Sequence, residues 1–510
     1  MSTGTNRMPL LTLLSFVFIL QSSVFADDEG FTSIFDGKSL EGWDGDPTYW
    51  RVEDGAITAR TATKTLKSNT FIIWRNGELD DFELKLEYRI VGGNSGIQYR
   101  SFEVPEAGKW VVGGYQADFE AGDKYSGILY GERYRGVLAF RGQQTVIRSN
   151  HKPRVVGSVG DSAELQTHIK KEDWNEYHVT ARGYHFQHRI NGQLTVDVID
   201  EDYEMRRRGG ILALQAHAGP PMTVQFRNIR IKRLKFEAGK KVVLVAGKKS
   251  HGYGAHEHNA GCLLLKRLLD DAAPQVHAAV YRDGWPKDPT AFDNADAVLL
   301  FMDGAQRHEV NQRLDEVDAL MKKGVGLGCL HFAVEVTKGA VGDHFLDWLG
   351  GYFEKGWSVN PHWTVKDPIL AAGHPITRGV KPFEADDEWY YHMRFAPGMK
   401  GITPILSAVP GPETLSRKDG PRSGNPTVRA RVARREPQVL AWAHERRDGG
   451  RGFGYTGAHF HKNWANDDLR KLVLNSLLWI AKADVPANGI ETPTPTQEEL
   501  EANQDFPKPK

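Results

Sequence analysis

The chain has 510 residues, 40% of them hydrophobic and 25% charged, an ordinary balance for a folded protein and long enough for two or three cores. Lys+Arg and Asp+Glu both number 65, so the net charge is zero. That argues against a nucleic-acid partner held by bulk charge, and the basic stretches at residues 206–208 and 429–435 read as solvated turns.

The N-terminus reads as a secretory leader over residues 1–26. Arg7 precedes an almost wholly apolar run at residues 8–20, and Val24, Phe25 and Ala26 form a cleavage site before the acidic Asp27, Asp28 and Glu29. The run is too short for a membrane span and no cysteine follows it. The sequence therefore predicts a periplasmic or secreted protein that matures near Asp27, with no membrane attachment beyond the leader. Cys262 and Cys329, its 2 cysteines, are expected buried and unpaired, in a helix and an apolar strand.

Residues 31–234 carry short alternating runs at 82–90, 174–180, 186–190, 194–198 and 224–231. Turn pairs such as Asp36-Gly37, Asp54-Gly55, Asn76-Gly77 and Asn191-Gly192 separate such runs. Many short strands without a long amphipathic helix predict an all-β sandwich or jelly roll. Three of its runs are unusual: GNSGIQYR at 93–100, GYQADFE at 114–120 and LQAHAG at 214–219. With a side-chain period of two, each sets a polar row on one sheet face: Gln98 and Arg100; Gln116, Asp118 and Glu120; Gln215 and His217. Amides, acids, Arg and His suit a face that hydrogen-bonds sugar hydroxyls.

Character changes at residues 236–240. Continuous apolar strands at 241–246, 276–280, 297–302 and 326–330 alternate with helices predicted at 257–271, 306–323 and 467–483, which implies a parallel sheet covered on both faces. Residues 410–436 read as a long loop insertion, and residues 486–510 as a disordered tail. Most of the 19 histidines fall in this half. His251, His256, His258, His331, His392, His459 and His461 sit at expected strand ends, where open α/β sheets bind ligands. Their spacing matches no standard zinc signature. Two readings stay open, polar loop histidines or a site for a divalent metal ion, and a pocket built with Trp363, Trp389 and Trp464 suits both.

On FTSIFDGKSLEGW, NSGIQYRS, GYQADFE, YSGILYGERYRG, DWNEYHV and LQAHAGPPMTVQFRNIRIKRL, the first half, residues 31–235, resembles the 3-keto-disaccharide hydrolase family, a concanavalin-like sandwich. That resemblance implies a carbohydrate substrate with a ketone at C3, cleaved by C2 proton abstraction, elimination and hydration. Such chemistry needs a base, an acid and an electrophile. Asp118, Glu120 and His217 are the acid or base candidates, and Gln98, Arg100, Gln116 and Gln215 the substrate-binding candidates. A divalent cation on Asp118 and Glu120 could replace the electrophile. The alternative is a non-catalytic glycan-binding module.

On HGYGAHEHNAG, GLGCLHFAVE, HWTVKDPILAAGHPITRGV, DEWYYHM and GRGFGYTGAHFHKNW, residues 241–483 resemble the ThuA-like (trehalose utilisation) domain of class I glutamine amidotransferase fold. His331, Glu335, His392, His459 and His461 are its candidates for binding a related sugar derivative. Amidotransferases place a nucleophilic Cys at a strand-to-helix elbow. Here Cys329 lies inside the apolar run, the G-x-C-x-G elbow is absent and His331 ends the strand, so a glutaminase is not expected.

Overall fold

A computed structural model describes residues 1, 29–61 and 66–509. The expected leader, apart from Met1, lies outside these residues. Among the described residues no helix is long and apolar enough to cross a membrane.

The first half is the predicted β-sandwich. Alternation at Phe82–Val91, buried at every second residue, puts Leu84, Leu86, Tyr88 and Ile90 into the core and charged residues into water. That strand sits centrally in a ten-stranded sheet, between Asn175–Arg182 and Thr223–Arg233. The facing seven-stranded sheet runs through Val112–Glu120, Asn94–Glu103, Gly210–Ala216 and Thr70–Leu79. Ile97, Tyr99, Tyr115, Ala117, Phe119, Leu212 and Leu214 of this second sheet pack against Leu84, Tyr177, Val179 and Phe226 of the first. Inward positions being apolar, the polar residues between them, Gln98, Gln116, Asp118 and Gln215, fall on the opposite face, as the two-residue period requires.

The second half is an α/β layer. Val276–Tyr281, Lys240–Ala246, Ala297–Phe301, Gly326–Leu330 and Arg451–Tyr455 pair in parallel, in that order. Three antiparallel strands extend the sheet, Gln438–Glu445, Ile402–Ala408 and Ile369–Leu370, so it is mixed rather than wholly parallel. Val242 and Leu244 face a core that includes helices His258–Ala272 and Asp467–Ile480, while Val243 and Val245 face one that includes Leu314–Lys322 and Ala340–Trp348. Burial on both faces is why these strands read as unbroken apolar runs.

Three expectations change. The helix expected at 306–323 is shorter, Leu314–Lys322, preceded by two 3₁₀ turns. The expected loop at 410–436 holds a 3₁₀ turn, Pro412–Leu415, and a helix, Pro426–Ala433, which Asn425 caps by accepting from the Val428 amide and Pro426 opens at its first position. The expected disordered tail folds back: Thr496 and Glu499 form a capping box for Gln497–Glu501, Leu500 is buried, and Glu257 accepts from the Asp505 amide. Composition missed it because a few anchored side chains and caps hold an otherwise polar segment.

Thr32–Lys510 forms one compact unit, and the two halves meet through buried charge. Asp80 of the sandwich accepts from Lys241 Nζ at 2.5 Å and from Arg233 at 3.3 Å. Arg233 also reaches Asp288 at 2.7 Å, and Asn294 accepts from Lys241 at 2.7 Å. Burial would raise the Asp80 pKa, but Lys241, Arg233 and His277 outweigh it and hold the carboxyl well below the usual range.

Candidate functional site

The polar face of the seven-stranded sheet holds a cleft of ≈ 460 Å³ lined by Asn69, Asn94, Gln116, Asp118, Glu120, Tyr125, Tyr130, Glu132 and His217, with Ile128 and Val137. Asp118 is 6% exposed. Its Oδ1 accepts from Gln116 Nε2 at 3.0 Å, and Asn94 also donates to it. Desolvation outweighs these donors, and with Glu120 and Glu132 nearby it pushes the Asp118 carboxyl up to about 8. His217 follows the strand Gly210–Ala216, and its Nδ1 lies 2.6 Å from the Ala218 carbonyl. A carbonyl only accepts, so Nδ1 carries a proton, and in the neutral ring Nε2 is the nitrogen with the lone pair.

Glu120 also lines the cleft, but its Oε1 accepts from the Lys124 and Tyr125 amides at 2.7 and 2.8 Å. It therefore holds the loop that carries Tyr125. Glu132, which belongs to none of the three polar rows, joins the wall from the neighbouring strand Leu129–Glu132, held by Asn69 Nδ2 at 3.1 Å. Its signal lies in the stretch YSGILYGERYRG, where it ends a strand beside the Asp118 row.

The glutamines form a row across three strands, but they serve one another. Gln98 Nε2 donates to Gln116 Oε1, Gln215 Nε2 donates to the same oxygen at 3.1 Å, and Ser101 donates to Gln98 Oε1 at 2.9 Å. Gln98 and Gln215 are fully buried, so only Gln116 of the three reaches the cleft. The row fixes the Gln116 amide and, through it, Asp118. Gly96, opposite Asp118 in the pairing, leaves room for this: a Cβ there would lie 2.5 Å from Gln116 Cδ.

Arg100 is not on this face. The register slips between Tyr99 and Phe102, and Arg100 takes φ 46°. This breaks the alternation and turns the side chain into the interior. It is fully buried, paired with Asp81 at 2.9 Å and donating to the carbonyls of Asp80, Gly183 and Arg207. Arg100→Met is accordingly expected to destabilise the fold by about 3–5 kcal/mol, by stranding Asp81, while leaving KM for a sugar unchanged in the folded fraction. Urea titration and steady-state kinetics check the two halves of that statement.

A second cluster lies at the carboxyl ends of the parallel strands in the α/β half. His256 follows Lys240–Ala246, Asp303 follows Ala297–Phe301, His331 follows Gly326–Leu330, and His459 follows Arg451–Tyr455. His256 Nε2, His331 Nε2 and His459 Nδ1 lie 3.0–3.2 Å from one another. Glu388 Oε2 stands 3.4 Å from His331 and 3.3 Å from His459, and Tyr390 Oη 3.2 Å from His331 Nε2. His251, His256, His331 and Ala458 all take φ between 51° and 79°, the left-handed region that concentrates at functional sites. His251 stacks on His256 at 3.6 Å and is 42% exposed along its side chain, so the cluster opens to solvent there. Burial drives His256 down to about 2, leaving it neutral.

Of the residues expected here, His331 and His459 converge. Glu335 lies apart, bound in two-pronged fashion by Arg422 at 2.5–3.1 Å. His392 stacks on Trp357 and hydrogen-bonds its carbonyl. His461 does not share a face with His459, because residues 461–465 turn into a 3₁₀ helix and bury it. Trp363, Trp389 and Trp464 are core residues. Cys262 and Cys329 are free and buried, with desolvation pushing both thiols far up, so neither is a poised nucleophile. Glu388 and Asp303 are additions that the strand-end pattern of histidines does not contain. Glu388 stands in the stretch DEWYYHM, whereas Asp303 joins only through sheet order.

A family model described as a 3-keto-alpha-glucoside-1,2-lyase-like domain matches residues 30–232, and one described as trehalose utilisation, ThuA, matches residues 242–480. A 3-keto-disaccharide hydrolase of Bacteroides thetaiotaomicron is 23% identical over 239 residues, 41% of this chain and 80% of that protein. A crystallised protein of Parabacteroides distasonis, provisionally described as a glycosyl hydrolase, is 23% identical over 42% of this chain and 99% of its own, with a TM-score of 0.29. One of Bacteroides uniformis, provisionally described as ThuA-like, is 17% identical over 49% of this chain and 95% of its own, with a TM-score of 0.35. Residues 30–232 thus match a 3-keto-alpha-glucoside-1,2-lyase-like domain and residues 242–480 a ThuA domain, and the pair points to a carbohydrate-related function.

Proposed function

We propose that the sandwich cleft cleaves 3-keto-glycosides by elimination and rehydration. The observation that carries this reading is Asp118, a carboxyl pushed up to about 8 in the wall of a polar cleft. At neutral pH it holds a proton, which is what a leaving alkoxide needs. His217 supplies the complementary group, an imidazole with its Nε2 lone pair free.

In the first step His217 Nε2 takes the C2 proton, which the C3 ketone acidifies. The C2 electron pair forms the C1–C2 double bond, the C1–O bond breaks, and Asp118 protonates the departing oxygen. In the second step the Asp118 carboxylate takes a proton from water as its oxygen adds to C1, and the His217 imidazolium returns a proton to C2. Asn94, Tyr125 and Tyr130 provide the amide and hydroxyl donors that line the cleft for the enediolate oxygen.

The test is incubation with a 3-keto-disaccharide in deuterated water. Monosaccharide release with deuterium at C2 supports the proposal, and release without it points to displacement at C1 instead. His217→Gln is expected to lower turnover by about two to four orders of magnitude. Glycan binding without turnover would make the sandwich a binding module. The ThuA half is proposed to act on a related sugar derivative. Export is part of the same proposal, and mass spectrometry of the exported protein that finds residues 1–26 retained would overturn it.

A further inference from the structure

The four-residue cluster in the ThuA half goes beyond that reading. We propose that His256 Nε2, His331 Nε2, His459 Nδ1 and Glu388 Oε2 are the ligands of one divalent metal ion of the zinc class. The first argument is geometric. Ligand atoms about 2.0–2.1 Å from a tetrahedral ion stand about 3.3–3.4 Å apart. The nitrogens here are 3.0–3.2 Å apart, the carboxylate oxygen is 3.3–3.4 Å from two of them, and all four ligand atoms lie within 4.8 Å of one another, a cluster small enough to enclose one cation.

The second argument is protons. His331 Nδ1 lies 2.9 Å from the Thr456 carbonyl, so it holds the ring proton and leaves Nε2 a bare lone pair. His256 Nδ1 has no hydrogen-bond partner but faces the Asp303 carboxylate at 3.6 Å, whose field favours the proton on Nδ1 and the lone pair on Nε2. Two lone pairs 3.1 Å apart repel unless a cation sits between them. Asp303 is in turn held by Ser250 at 2.7 Å, the carboxylate-to-imidazole support that metal ligands recruit. Imidazole nitrogens with one carboxylate suit zinc-class ions rather than calcium or magnesium, which take oxygen. The exposed His251 and His362, 42% and 54% open along their side chains, leave the ion an entry path from solvent.

The full chain is stripped with a chelator, dialysed and titrated with Co(II) and then Zn(II). One equivalent per chain is expected, with visible cobalt bands of a low-coordinate site that zinc abolishes. His331→Gln and Glu388→Gln are each expected to weaken binding by more than about 100-fold, and Asp303→Asn by about 10–100-fold. Asp118→Asn, in the sandwich, is expected to bind the same equivalent, which separates this centre from the cleft. Circular dichroism checks each variant, and Glu388→Gln, the less buried site, decides if His331→Gln does not fold. No cobalt uptake by the stripped chain overturns the proposal. So does wild-type affinity in the ligand variants, or loss of the ion in Asp118→Asn alone.

Discussion

Asp118→Asn is expected to lower kcat/KM on a 3-keto-disaccharide by about two to four orders of magnitude without unfolding the sandwich. Asparagine keeps the shape and still accepts from Gln116 at the position of Oδ1, but it has no proton to give the leaving oxygen. The pH profile distinguishes this from mere misplacement. With the carboxyl pushed up to about 8, wild-type kcat/KM holds its alkaline side until about pH 8 and then falls as the acid is lost. The variant's residual rate lacks that fall.

Stability follows the same group with a definite sign. The folded value lies above the unfolded 3.8, so the contribution is fully present below pH 3.8 and is lost as pH rises through about 8. Relative to wild type, Asp118→Asn therefore gains stability between those limits, by on the order of a few kcal/mol at pH 9. Denaturant midpoints at pH 5 and 9 measure it. Equal midpoint differences at the two pH values would mean that Asp118 is not a raised carboxyl, and its role as the acid would go with it.

Asp80→Ala is expected to cost about 3–5 kcal/mol of stability, because it leaves Lys241 buried with only the neutral Asn294 as partner. Arg233 suffers less, since Asp288 remains. Adding Lys241→Met should recover most of the loss, an apolar chain in place of a stranded ammonium. A double variant no more stable than Asp80→Ala would show that the cost lies in the cavity and not in the charge. The same cluster bears on separating the halves. Each half has its own core, so residues 31–235 alone are expected to fold. Without Lys241 and Asp288, their thermal midpoint should fall below that of the sandwich in the full chain, as heat scanning of both would read.

What could be read along the chain is what depends on near neighbours. Phe82–Val91 alternates because one face of its sheet is buried, and Lys240–Ala246 does not because both faces are. Those two periods by themselves separate a sandwich from an α/β layer. They also set Gln116 and Asp118 on one face and place His331 and His459 at strand ends. The rest depends on register, on partners distant in sequence and on burial, which the period does not carry. One slip between Tyr99 and Phe102 takes Arg100 off the face where alternation puts it. Gln98 and Gln215 turn out to bind Gln116 rather than sugar because the strands bring three amides side by side. The order of the parallel strands decided that His256, Asp303, His331 and His459, spread over two hundred residues, share a single site, joined there by Glu388. Burial, a property of the whole packed molecule, turned Asp118 from an ordinary carboxylate into a group that keeps its proton at neutral pH.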